Sequence, residues 1–119
     1  MRYMLLIYGE EKEWEAKSEQ ERDAAYQACV SHSEARRPSG FYQGGERLEP
    51  TRSATTVRMK DGRAIMTDGP FAETKEQLAG YTILDARDLD EALAFVARHP
   101  LVRAGFSIEV RPFRVGKPT

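Results

Sequence analysis

Hydrophobic positions along the chain switch between an unbroken and a helical spacing. Residues 3–8 are a continuous apolar run, short and closed by Gly9, which predicts a strand covered on both faces. Ser18-Glu19-Gln20-Glu21 sets a hydroxyl at a cap position and a carboxylate three residues later, a helix start. The helix should run to about Arg36 and stop before Pro38-Ser39-Gly40. Its apolar face is thin, made of Ala25, Ala28, Cys29 and the ring of Tyr26. Residues 40–45 predict a short strand with a glycine bend, and residues 46–52, with Pro50, a connection.

Residues 53–60, Asp61-Gly62 and residues 63–68 form a hairpin pattern around a two-residue turn. That turn length fixes the register: Lys60 faces Arg63, Met59 faces Ala64, Arg58 faces Ile65, Val57 faces Met66, Thr56 faces Thr67 and Thr55 faces Asp68. Side chains alternate, so Val57, Met59, Ala64 and Met66 share one face, with Thr55 and Asp68 at its far end, and Arg58 and Lys60 share the other. A carboxylate at the rim of an apolar face is the first position of chemical interest. Thr74-Lys75-Glu76-Gln77 suggests a single helical turn, residues 80–86 a strand, and Asp88-Leu89-Asp90-Glu91 a second cap. Leu89, Ala92, Leu93 and Val96 then follow at helical spacing. Arg98 and His99 fall in the last turn and Pro100 closes it; residues 107–115 predict the last strand, with Pro112 marking an edge or an end.

The order is strand, helix, strand, hairpin, strand, helix, strand. It predicts an α+β sandwich with an antiparallel sheet and both helices on one face. Tyr3, Leu5 and Ile7 then point one way and Met4, Leu6 and Tyr8 the other, and both sets are apolar. At ~25 cal/mol per Å², a bare apolar sheet face drives association strongly. A second copy, sheet against sheet about a two-fold axis, is the economical cover.

Composition narrows the function classes. The 119 residues carry 18 Lys and Arg, 19 Asp and Glu, and one cysteine. The length suits one domain over residues 1–119. One cysteine excludes an internal disulfide and a Cys-only zinc site, and the two histidines lack ligand spacing, so no metal is expected. A net charge of −1 gives no field for nucleic acid or an anionic membrane. No apolar run approaches the ~20 residues of a membrane span, and the N-terminal run is too short for a secretion signal, so a cytoplasmic protein is expected. No glycine-rich phosphate loop occurs, and no cofactor motif is found.

Residues 3–9, Ala54-Thr55-Thr56-Val57-Arg58, the block from Thr67 through Asp68-Gly69-Pro70-Phe71 to Gly80, and Asp85-Ala86-Arg87-Asp88-Leu89-Asp90-Glu91-Ala92 occur together. In these the chain resembles the YCII-related family, in the branch named for its Asp-Gly-Pro-Phe motif. The resemblance implies a ferredoxin-like fold paired into a dimeric α/β barrel. It also implies a His/Asp pair in a pocket for the parent branch, and for this branch a link to extracytoplasmic-function sigma factors. The chain departs from the pair at both positions. The place of the parent's histidine falls near Cys29 rather than His32, and that of its aspartate is held by His99, before Pro100.

Asp68 is therefore the leading catalytic candidate, either a pocket carboxylate for general acid–base work or a cap on the turn that follows. Thr55 opposite it, Lys75 and Tyr81 are the candidate substrate-binding residues; Arg58 lies on the wrong face. Cys29 reads as a small buried hydrophobe, His32 as a satisfied helix histidine, His99 as a helix-dipole partner, and Trp14 and Tyr26 as packing or a pocket mouth. The expected function is cofactor-free proton transfer on a small organic molecule, of isomerase or lyase type, in a homodimer. The alternatives are a regulatory partner of a sigma factor, contacting it through Glu73-Thr74-Lys75-Glu76-Gln77, and a purely structural dimer that has lost an ancestral site.

Overall fold

The computed structural model describes residues 1–115. The elements are β1 (Arg2–Gly9), α1 (Glu11–Ala16), α2 (Glu19–Glu34), β2 (Tyr42–Arg47), a 3-10 turn at Thr51–Ser53, β3 (Thr55–Lys60), β4 (Arg63–Asp68), β5 (Gln77–Asp85), α3 (Leu89–Ala97), α4 (Pro100–Arg103) and β6 (Ser107–Pro112). The result is a mixed α+β protein with an antiparallel sheet in the order β2-β5-β1-β6 and a separate two-stranded sheet of β3 and β4.

β1 is central because it is apolar on both faces. Tyr3 and Leu5 are buried with Leu84 under Ala92, Phe95 and Val96 of α3, and Ile7, also buried, lies further along the same face. The charged terminal amine of Met1 ties the strand's start to β5, donating to Asp85 Oδ1 at 3.0 Å and to the Ala86 carbonyl at 2.8 Å. α2 begins as the capping box requires: Ser18 Oγ accepts from the Glu21 amide at 3.1 Å, and Glu21 Oε1 accepts from the Ser18 amide at 3.0 Å. Asp88 caps α3 with one such bond, accepting from the Glu91 amide at 2.9 Å, while Glu91 Oε1 accepts from the Arg87 amide at 2.8 Å.

The hairpin has the expected register at every pair, from Thr55 with Asp68 to Lys60 with Arg63. It does not join the main sheet. It stands off the body as an arm, with Val57, Met59, Ile65 and Met66 between 42% and 73% exposed. The radius of gyration of 16.4 Å exceeds the roughly 13.5 Å of a compact chain this long. The accessible area of 8656 Å² exceeds the roughly 6,500 Å² expected for this mass by roughly 2,100 Å².

Four local expectations need correction. Residues 74–77 form no helical turn; the chain bends at Lys75 and Glu76, Thr74 Oγ1 donates to the Glu76 carbonyl, and Gln77 already pairs with Gly9 in β5. α1 was not anticipated, because its Glu11-Lys12-Glu13 start shows no apolar period. Pro100 does not only close α3; it sits at the first turn of α4, where proline's missing N–H is harmless. β6 ends at Pro112, on a sheet edge, rather than at residue 115.

Candidate functional site

The two long helices cover the same sheet face unequally. α3 seals the core end. α2 brings little apolar surface besides Tyr26 and Val30 and leaves a cavity of about 760 Å³ between itself and the sheet. Its walls are Ile7 and Thr82 from the sheet, Cys29, Val30 and Ser33 from α2, and Leu101 and Phe106 beyond α3. Trp14, Tyr26 and Tyr42 supply aromatic surface, and Trp14 meets Phe106 edge-on at 5.4 Å between ring centres.

Glycine shapes the β2 wall. A side chain at Gly45 would run into the Tyr81 carbonyl and the Thr82 backbone, so only glycine lets β2 lie this close to β5. The lip opposite is clamped by Glu11, whose two carboxylate oxygens accept from the Thr51 amide and hydroxyl, each at 2.8 Å. Arg47 enters the mouth with its guanidinium 3.8 Å from the centre of the Tyr26 ring, a cation–π contact.

Polar chemistry converges at Cys29. Its sulfur lies 3.7 Å from Nε2 of His99, a residue 70 positions away and fully buried. His99 caps α4: its Nδ1 accepts the Leu101 amide at 3.1 Å. His32 sits behind, its Nε2 donating to the Phe95 carbonyl at 3.2 Å and its ring stacked on Phe95 at 4.4 Å. Burial pushes His99 down to about 4, and the neighbouring His32 ring adds to the shift. Burial also lowers His32, against the pull of its bond to the Phe95 carbonyl, and the charge of Arg36 lowers it further. Burial raises the Cys29 thiol, partly offset by Arg47.

These placements correct two readings and sharpen a third. His99 is a neutral, buried helix cap and not a charged dipole partner. Cys29 is a half-buried cavity wall with a polar partner, not a plain hydrophobe. His32 is satisfied, as expected, but its role is to join α2 to α3. The fold brings Cys29 and His99 together across the α2–α4 contact. Read from the sequence as structural residues, the two were missed as a pair: they lie 70 positions apart and nothing local to either marks it.

The residues singled out from the sequence are not brought together around this cavity. Asp68 and Thr55 face each other on the exposed arm. Thr56 Oγ1 donates to the Gly69 carbonyl at 2.8 Å and Arg58 donates to the Phe71 carbonyl at 2.7 Å, so Arg58 fastens the turn after Asp68. Lys75 is exposed and lies 3.5 Å from Glu10. Tyr81 borders the cavity, but strand alternation turns its ring to the opposite sheet face with Leu6. Trp14 and Tyr26, read as a possible mouth, do line the opening. No helix among the described residues is long and apolar enough to cross a membrane.

Fold and cavity together define a small α+β protein with a ligand-sized chamber between sheet and helix. The chain belongs to the YCII-related family, whose domain profile matches residues 1–114. It is 37% identical over 119 residues to an uncharacterized protein of Rhizobium meliloti (strain 1021), covering 99% of this chain and 96% of that one. Among solved structures it is similar to 5-chloro-2-hydroxyhydroquinone dehydrochlorinase from Burkholderia phenoliruptrix AC1100, in complex with 2,5-dihydroxybenzoquinone. That likeness has a TM-score of 0.58 at 19% identity, over 98% of this chain and 96% of the other, and shows the shared fold.

The buried histidines set a pH dependence. Both titrate lower in the fold than in the open chain, so the unfolded chain takes up protons first on acidification. Their contribution is complete above the ordinary histidine value of 6.5 and is lost as pH falls from there towards the folded His99 value of about 4. Denaturant titrations should show stability falling by roughly 1 kcal/mol per pH unit between about pH 6 and 5, above the main carboxylate range. The slope should shrink in His99→Asn, which keeps a capping side chain. An unchanged slope in that variant would show that His99 is not the titrating group.

Proposed function

We propose that the chain is a small-molecule enzyme of isomerase or lyase type that moves protons without a cofactor, using the cavity between α2 and the sheet. The observation that carries this reading is the chamber itself. Its volume of about 760 Å³ lies within the roughly 300–1,000 Å³ of small-ligand sites, its walls are aromatic, and a proton-bearing pair meets at Cys29. A dehydrochlorinase holding 2,5-dihydroxybenzoquinone shares the fold, which makes a flat, oxygen-rich ring the first class to try.

The working form is a homodimer. The βαββαβ path with strand order β2-β5-β1-β6 supports reading the protomer as a ferredoxin-like sandwich carrying the arm as an insertion. Pairing two such sheets through Met4, Leu6 and Ile83 gives a dimeric α/β barrel. Two features support a second copy. The excess area of roughly 2,100 Å² is well above the roughly 800 Å² per partner of a standard interface. An isolated two-stranded hairpin is marginal in water, so the arm needs cover. Asp68 and Thr55, on that arm, reach a bound molecule only where one protomer's arm lies against the other; Lys75 and Tyr81 are likewise assigned to the assembled state.

A regulatory reading, as a sigma-factor partner, is favoured by one feature: Phe71 of the Asp-Gly-Pro-Phe turn is 73% exposed beside the charged connection to β5.

Trp14, the chain's sole tryptophan, lines the cavity and reports on it. Titration with 2,5-dihydroxybenzoquinone should quench its fluorescence saturably, and Tyr26→Ala should weaken binding about tenfold, the loss of one stacked ring with its packing. No saturable response to this or related hydroxylated rings, with co-purification of a polymerase component instead, would favour the regulatory reading. Sedimentation at micromolar concentration should give twice the chain mass; a single-chain mass would remove the barrel.

A further inference from the structure

We propose that Cys29 is a proton donor to the molecule bound in the cavity and not a nucleophile, with His99 as its positioning residue. The proposal rests on the cavity reading above and names the chemistry of its floor. A cysteine beside a histidine ordinarily suggests a thiol whose proton the imidazole removes. The backbone forbids that here. The lone pair on Nδ1 of His99 is occupied by the Leu101 amide, at 3.1 Å. A neutral imidazole carries one proton, which must then sit on Nε2, the nitrogen 3.7 Å from the Cys29 sulfur. The ring therefore donates to sulfur and has no lone pair left to take the thiol proton.

The ring cannot rearrange cheaply. It is fully buried, with His32 edge-on at 5.5 Å and Phe95 edge-on at 5.9 Å. An imidazolium would set an Nδ1 proton against the Leu101 N–H, donor facing donor. Burial of His99 and of the thiol acts in the same direction, keeping both groups neutral. With the sulfur held as an acceptor, its own S–H is left to turn into the chamber that Cys29 lines.

The ligand that fits is a small enolate or phenolate, or a carbanion beside a carbonyl. Its transfer balances without a co-reactant. The S–H bond breaks, an O–H or C–H bond forms on the ligand, and the negative charge moves to sulfur, facing Nε2–H and Arg47. The thiolate then takes a proton from a neighbouring carbon or hydroxyl of the same molecule, which completes an isomerisation. The groups that favour this step are His99 at the α4 cap, Arg47 on β2 and Arg37 beyond α2, with Tyr26 and Tyr42 beside them; Glu34, and Glu10, Glu11, Glu15, Glu46 and Glu49 elsewhere on the wall, oppose negative charge there.

Cys29 is the sole cysteine, so its alkylation by iodoacetamide can be followed without ambiguity. The rate should rise about tenfold per pH unit from about pH 6 to 8, as for a thiol that is neutral throughout. His99→Asn should slow it several-fold at each pH, because the thiolate loses its donor; a purely structural role would leave the profile in place. Nitrogen-15 spectra of the intact wild-type protein should show His99 as the neutral Nε2–H form from pH 8 to 5. A rate that is flat across pH 6–8, a thiol inert up to pH 9 in the folded protein, or an Nδ1–H or imidazolium signal at pH 7 would each overturn the proposal. These readouts need no substrate. Failure to bind any ring compound with the Nε2–H form intact counts against the enzyme reading alone.

Discussion

The chamber exists because the two helices over the sheet are unequal. α3 presents Ala92, Phe95 and Val96 and packs down on Leu5 and Leu84, both fully buried. α2 presents alanines, Cys29, Val30 and Ser33 between charged residues, and Ser33 is its sole buried side chain. A helix with so little apolar surface gains little by closing onto a sheet at ~25 cal/mol per Å². The His32 bond to the Phe95 carbonyl and the Cys29 contact with His99 tie it to α3 and α4 instead. The same deficit that costs core packing leaves room for a ligand, a trade common at binding sites.

A second consequence concerns the other side of the sheet. The extents of 48 × 45 × 20 Å are those of one sheet and one helix layer, with the arm extended. β1 is apolar on both faces, and only one is covered within the protomer. The arm adds exposed methionines, valine and isoleucine with no third strand to pair its edges. Both features ask for the same remedy, an apolar surface of matching shape, which the proposed two-fold partner would supply in a closed form.

Local signals were legible in the sequence, and long-range ones were not. Both caps and the complete hairpin register follow from residues within a few positions of each other. The Thr74-Lys75-Glu76-Gln77 turn failed because pairing of β5 with β1 outweighs a weak cap. Pro100 was read as a stop when its position makes it also a start. The same logic explains the site. Asp68 was singled out from a correct local register, but the register could not say that the hairpin leaves the body. Cys29 and His99 lie 70 residues apart, and no local pattern in the sequence joins them. The locking of His99 by Leu101 depends on the cap of a four-residue helix that the sequence pattern does not announce.

The central claim is that open space, not packed side chains, separates α2 from the sheet. Val30 lines that space, so a larger apolar side chain there tests it directly. Thermal unfolding of Val30→Phe should show a midpoint raised by about 2–5 °C, the effect of roughly 1 kcal/mol gained on filling a void. A lowered midpoint would mean that the ring meets packed atoms, and that there is no chamber to hold a ligand.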